Sequence, residues 1–173
     1  MRLFVAVDMP KEACIELEIL QGLLPAENFT LAKHFHITLK FLGEVHESMA
    51  AKVREELREV KFEKLIFKLG KIGFFPDENN IRVIWVGVQP EDIVVNLQKK
   101  VDSIIGKEFP DDHPFSAHIT LARVKFIGDK KGFINKIRTI NVKTMEFEID
   151  SFTLKKSSLS RIGPAYKDLE VYT

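Results

Sequence analysis

Polar and apolar positions follow two periods along the chain, and these divide it into strands and helices. Residues 2–7 contain the β-favouring Phe4, Val5 and Val7 and predict a strand. Pro10 opens an amphipathic helical segment to about residue 24, with an apolar stripe of Ile15, Ile19 and Leu23 at a spacing of four; Pro25 ends it. Residues 35–42 alternate and predict a strand, while 47–60, rich in Ala, Glu, Lys and Arg, predict a helix. Strands are expected at 64–74 and 81–88, separated by the turn-forming Pro76-Asp77-Glu78-Asn79-Asn80. Residues 91–105 form a helical pattern with Ile93, Leu97, Val101 and Ile104 on one face. A strand at 117–126 and a short helix at 130–137 follow. Residues 145–155 alternate strongly enough for one long strand, and 157–161 and 165–172 close the chain as strands around Gly163-Pro164.

The helices are few and several strands follow one another directly. This order predicts an α+β fold with antiparallel sheets rather than a doubly wound parallel one. No Gly/Ser-rich linker or low-complexity tract marks a boundary, so residues 1–173 are expected to form a single domain of two intimately packed lobes. With 45% hydrophobic and 29% charged residues, the chain can bury a core and is neither a membrane protein nor disordered. Lys plus Arg number 26 and Asp plus Glu 25, a balance unlike that of a protein gripping a long duplex by its phosphates, although it allows a nucleic-acid end to be held by a few local cations. The one cysteine, Cys14, permits no intrachain disulfide and no multi-cysteine zinc site, which fits a reducing cytoplasm; in its helical stretch it is expected to be a buried helix residue rather than a nucleophile. The apolar run 3–7 is too short for a signal or a membrane span, so cytoplasmic localisation is expected.

One string changes the picture. His36-Ile37-Thr38-Leu39 recurs as His118-Ile119-Thr120-Leu121, 82 residues later, close to half the chain length. Given the first copy, the chance that another of the five histidines is followed by Ile-Thr-Leu is on the order of one in a thousand from the composition. Both copies fall in expected strands, and the neighbouring order of elements partly recurs. Two tandem copies of one unit, packed face to face about a pseudo-twofold, account for this.

Side chains alternate faces along a strand. His36 and Thr38 therefore point one way and Ile37, Leu39 and Phe41 the other; His118 and Thr120 are set likewise against Ile119 and Leu121. A twofold would bring both polar pairs to one cleft. Two imidazoles of ordinary pKa near about 6.5 suit a general acid and a general base acting together. Threonine hydroxyls with a nearby cation suit phosphoryl oxygens. No activated nucleophile and no carboxylate set for Mg²⁺ is evident, so the constellation predicts metal-independent acid–base cleavage of a phosphodiester with no cofactor. A single His-x-Thr on an exposed strand face is ordinary; the duplication at half-length is what raises it above that.

The paired His-x-Thr motifs resemble those of the two-histidine (2H) phosphoesterase superfamily, and within it the RNA 2′,3′-cyclic phosphodiesterases, also called the 2′-5′ RNA ligase family. The stretch 34–44 is similar to that family's first motif and 118–123 to its second; residues 2–7, 73–76, 82–88 and the tail 158–166 resemble its remaining patterns, so the likeness spans nearly the whole chain. The resemblance implies a bilobal fold with a central basic cleft and hydrolysis of an RNA-terminal 2′,3′-cyclic phosphate to a 2′-phosphate. It further implies His36 as proton donor to the leaving 3′ oxygen and His118 as acceptor from water; the spacing is symmetric and assigns neither role. Thr38, Thr120 and Arg123 are the expected substrate-binding residues. Strict alternation places Arg123 with Ile119 and Leu121, away from the cleft, whereas a bulge or the strand's end would turn it, and the family places an arginine here near phosphate. The expected partners are RNA with a cyclic-phosphate end, tRNA fragments among them, or small cyclic nucleotides; no membrane is expected, and the chain is expected to act as a monomer.

Other residues carry weaker signals. Lys40 shares the parity of His36 and Thr38, although surface lysine is the common case. His34 and His36 form His-x-His without a third suitably spaced metal ligand, leaving His34 a rim group. His46 and His113 lie near loop signals, with His113 a candidate for the mouth. Phe74 or Phe115 could stack a terminal base, with core packing the commoner role; Trp85 is expected in the core. Lys155, Lys156 and Arg161 either extend a basic path or form a solvated strand edge. Two other functions compete with hydrolysis: a non-catalytic nucleotide or RNA-end binding module using the same cleft, and RNA joining by the reverse reaction through 2′-5′ linkages.

Overall fold

A computed structural model describes residues 1–160 and 163–173. Arg161, weighed above as part of a basic path, and the end of the strand expected at 157–161 lie outside the described residues. The elements in order are β1 (Arg2–Asp8), α1 (Lys11–Leu23), β2 (Asn28–Leu31), β3 (His36–Glu44), α2 (Glu47–Leu57), β4 (Leu65–Asp77), β5 (Asn80–Gln89), α3 (Asp92–Ile105), β6 (His118–Phe126), α4 (Lys130–Arg138), β7 (Glu146–Ile149), β8 (Phe152–Ser160) and β9 (Gly163–Tyr172). The strands form two antiparallel sheets, β3-β1-β8-β9 and β2-β6-β5-β4-β7. This is the α+β, two-sheet architecture that the pattern predicts.

The internal repeat is visible in the topology. In each half a first strand (β1 or β5) leads through a helix (α1 or α3) to the strand bearing His-x-Thr (β3 or β6), then to a second helix (α2 or α4). The first strand pairs on one side with the motif strand of its own half. On its other side it pairs with a strand from the opposite half: β8 beside β1, and β4 beside β5. The helices also cross over, α1 lying against β6 and α3 against β3. One contiguous apolar core results, to which Val5, Val7 and Ile37 contribute from one sheet and Ile84, Val86 and Ile119 from the other. Fully burying each such side chain is worth about 1.5–3 kcal/mol, so the two halves depend on one another for their stability.

The structure departs from the sequence pattern in three places. The alternation at 145–155 is not one strand: it breaks at Asp150 and Ser151, and its pieces join different sheets, β7 on β4 and β8 on β1. Strand β2, only four residues long, carries too short a pattern to be seen. The Ile15, Ile19 and Leu23 stripe of α1 is about half exposed, and the helix instead buries Ala13, Leu17, Leu20 and Gln21.

Candidate active site

Each motif strand carries a bulge at the same place in the repeat, and the bulges shape the site. Along β3, Asp8 pairs with His36, Val7 with Ile37 and Ala6 with Thr38, but Val5 then pairs with Lys40, so Leu39 is the extra residue. Alternation shifts by one from there. Lys40 turns to the face of Ile37, and Phe41, opposite Phe4, joins the face of His36 and Thr38. Along β6, Gly87 pairs with His118, Trp85 with Thr120, Ile84 with Ala122 and Val83 with Arg123, which makes Leu121 the extra residue. Arg123 thus shares the face of His118 and Thr120. The expectations from strict alternation are corrected at Lys40, whose side chain is buried on the face of Ile37 although the residue still borders the cavity, and at Phe41, which faces it; Arg123 is turned toward the cleft by a bulge, the second of the two alternatives. A further shift leaves Leu42 unpaired before Gly43, whose φ of +68° suits a residue without Cβ, and the strand resumes its pairing through Glu44.

These faces line one cavity of about 1000 Å³. His36, Thr38, His118, Thr120 and Arg123 all reach it, so the five expected site residues are brought together. Aromatic rings collar each histidine. Phe4 lies 5.3 Å from the His36 ring, and Tyr166 meets it edge-on, also at 5.3 Å. Phe75 meets His118 edge-on at 4.7 Å, with Trp85 at 6.1 Å. Trp85 is therefore not simply core: it packs beneath His118, in space left by Gly73, where a Cβ would collide with the indole. Phe75 and Tyr166 fall in the family-like stretches 73–76 and 158–166, but nothing in those patterns sets them against the histidines; the order of strands within each sheet does.

The collars exclude water and so disfavour the imidazolium. Burial first, then the positive charge of Lys155 and smaller contributions from His34, His118 and Arg123, lowers the pKa of His36 to about 4. Burial and Arg123 also lower that of His118, opposed by its hydrogen bond to Ser116. That bond is specific: His118 Nδ1 lies 2.8 Å from the Ser116 carbonyl oxygen, which can only accept. Nδ1 therefore holds the proton, and Nε2 is the basic nitrogen of the neutral ring.

Lys155 is neither a solvated edge nor a free cation for RNA. It is buried and paired with Asp8 at 2.8 Å and Asp168 at 2.5 Å. His34 lines the cavity, 5.8 Å from Tyr166, and among the described residues it and His36 meet no third metal ligand. His113 and Phe115 also line the cavity, whereas Phe74 packs on Phe133. Burial chiefly raises the pKa of the Cys14 thiol, which donates to the Met9 carbonyl at 3.5 Å and is a poor nucleophile there. Among the described residues no helix is long and apolar enough to cross a membrane.

Two curled antiparallel sheets that each bring a His-x-Thr pair to a shared cleft define a 2H phosphoesterase. A family model described as "LigT like Phosphoesterase" matches the chain twice, over residues 7–85 and 86–166, one match per half of the repeat. The chain belongs to this LigT-like phosphoesterase family. It is 36% identical over 181 residues to the RNA 2′,3′-cyclic phosphodiesterase of Archaeoglobus fulgidus, covering 99% of each chain. To the protein of that name from Methanocaldococcus jannaschii it is 34% identical, covering 96% of this chain and 97% of the other. A crystal structure of a Thermus thermophilus protein matches the fold at a TM-score of 0.80 and 28% identity, covering 99% of this chain and 97% of that one.

Proposed function

We propose that this protein hydrolyses the 2′,3′-cyclic phosphate at an RNA end to a 2′-phosphate by paired-histidine acid–base catalysis without a metal ion. The observation that carries this is the convergence of both His-x-Thr pairs on one cavity, with Arg123 turned into it by the bulge. His118 accepts a proton from water through Nε2 as the water oxygen attacks phosphorus, and its Nδ1–H stays on the Ser116 carbonyl. The P–O3′ bond breaks and His36 gives its proton to the departing 3′ oxygen, leaving a 3′-hydroxyl and a 2′-phosphate. The Ser116 hydrogen bond favours this order, because it leaves His118 a defined basic nitrogen; no described residue hydrogen-bonds the His36 ring. The depressed pKa of His36 makes it a strong acid once protonated, and an anionic phosphate beside it stabilises that form. Thr38, Thr120 and Arg123 hold the phosphoryl oxygens, with Arg123 countering the developing charge.

In this reading residues 1–173 act as one bilobal domain, in the cytoplasm and as a monomer, on RNA ends such as tRNA fragments or on small cyclic nucleotides. Joining of RNA ends by 2′-5′ linkage is the same chemistry reversed, and water at high concentration favours hydrolysis. The test is incubation of an RNA oligonucleotide ending in a 2′,3′-cyclic phosphate, in EDTA, with wild type, His36→Ala and His118→Ala. A 2′-phosphate formed by wild type alone is expected. RNA retained without any product would select the binding module instead, and product that appears only without EDTA would overturn the metal-free mechanism.

A further inference from the structure

The two bulges also reach across the molecule, each to the segment that leads into the other motif's histidine. In the first copy the bulge sinks Lys40 entirely, its side chain having no exposed surface. Its Nζ donates to Asp102 Oδ1 on α3 at 2.5 Å and to Asp111 Oδ2 at 2.7 Å, in the segment between α3 and β6. Burial opposes the ammonium charge, but the two aspartates outweigh it and raise the lysine's pKa. Asp111 stands seven residues before His118, between Pro110 and Pro114, whose fixed φ stiffens the segment. That segment ends in the Ser116 carbonyl that sets the His118 tautomer.

The second copy does the same with a different group. Its equivalent of Lys40 is Ala122, and here the carbonyl of the bulged Leu121 does the gripping. Leu121 O accepts from the Ala32 N–H at 2.9 Å and from Gln21 Nε2 at 2.8 Å, while Gln21 also donates to Ala32 O at 2.8 Å. Gln21 lies buried on α1, and Ala32 stands four residues before His36. Thus α1 braces the second motif strand and the approach to the first histidine, and Lys40 braces α3 and the approach to the second.

We propose that Lys40 and Gln21 are positioning residues that fix the separation and ring orientation of His36 and His118 across the cleft. This rests on the acid–base reading above. In-line displacement needs acid and base on opposite sides of phosphorus, and a shift of about 1 Å costs roughly a hundredfold in rate. Filling space alone would not require these polar groups, since an apolar side chain of similar volume packs at least as well as a buried ion pair.

The experiment measures kcat and KM on a 2′,3′-cyclic nucleotide, melting temperature, and the ring nitrogen signals of His118 by NMR. Asp111 is partly exposed, so Asp111→Ala tests the brace with the Lys40–Asp102 pair intact. It is expected to lower kcat by roughly a hundredfold at near-native melting temperature and KM, with the His118 Nδ1–H form lost. Asp111→Asn, which keeps an acceptor for Lys40, is expected to recover most of the rate. Gln21→Met is expected to lower kcat without changing the His118 tautomer, since it acts on the approach to His36. Lys40→Met strands two carboxylates and risks misfolding; Lys40→Met combined with Asp102→Asn and Asp111→Ala removes that charge and is expected to be as slow as Asp111→Ala alone. Wild-type kcat in Asp111→Ala and Gln21→Met, or rate losses that merely follow losses of melting temperature, would overturn the proposal. If wild type itself fails to turn over, the hydrolytic reading falls, and the brace is then judged by the NMR signals: a His118 tautomer unchanged in Asp111→Ala overturns it.

Discussion

At the scale of single residues, the aromatic collars set the pH at which the two histidines work. His36 is held at about 4, and His118 also lies below its ordinary value, chiefly because burial disfavours the charged ring. The productive free enzyme carries one proton on the pair, so kcat/KM peaks between two apparent pKa values that belong to the pair as a whole. Both lie below the ordinary histidine value of about 6.5, which places the optimum on the acid side. From pH 7 to pH 8 the singly protonated fraction falls about tenfold, and kcat/KM on a 2′,3′-cyclic nucleotide is expected to fall with it. A rate that holds level or rises over that interval would contradict the assignment. Lys155→Met removes the second-largest cause of the His36 shift and leaves Asp8 and Asp168 free to stabilise the imidazolium, so the profile should move to higher pH. At this scale His36, His118 and their threonines were legible from the repeated string. The facing of Phe41 and the fate of Lys40 were not, because neither Leu39-Lys40 nor Leu121-Ala122 contains the Gly or Pro that commonly marks a bulge.

At the scale of elements, α1 shows how periodicity can be correct in kind and wrong in direction. Ile15, Ile19 and Leu23 lie on one helical stripe, but Ala13, Leu17, Leu20 and Gln21 form another, and it is this second one that packs inward. The stripes compete in the sequence because the buried one includes Gln21, whose polarity is satisfied only by the Ala32 and Leu121 carbonyls in the folded chain. Chemical denaturation separates the two faces. Leu17→Ala is expected to cost about 2–5 kcal/mol, since Leu17 has no exposed surface. Ile19→Lys, on the half-exposed stripe, is expected to change stability by no more than about 0.5 kcal/mol; a loss comparable to that of Leu17→Ala would mean that the outer stripe is covered. The long strand expected at 145–155 failed for a different reason. Both of its pieces alternate correctly, but alternation does not encode the partner strand, and the break at Asp150-Ser151 is where the chain passes from one sheet to the other.

At the scale of the whole molecule, that passage decides how the fold is held together. The repeat is legible as sequence, and the family model divides it between residues 85 and 86, yet the halves are not separable bodies. Strand β1 needs β8 from the second half along one edge, and β5 needs β4 from the first. That boundary falls inside β5; cutting the chain instead in the turn between β4 and β5, after Glu78, would unpair both ladders, uncover the side chains that α1 and α3 bury against the opposite half, and break both braces at the bulges. Each fragment would keep only about half of the shared core, with the face that packs on the other half exposed, and a stability of about 5–15 kcal/mol does not survive a loss of that size. Residues 1–78 and 79–173 expressed separately are therefore expected to show no cooperative thermal transition by circular dichroism. Mixed in equal amounts they should regain one, together with phosphodiesterase activity, because the exchanged strands supply the missing partner in each sheet. A cooperative melt from either fragment alone would show that one half carries a sufficient core by itself, and the cleft would then be a junction between two independent units rather than a product of their exchange.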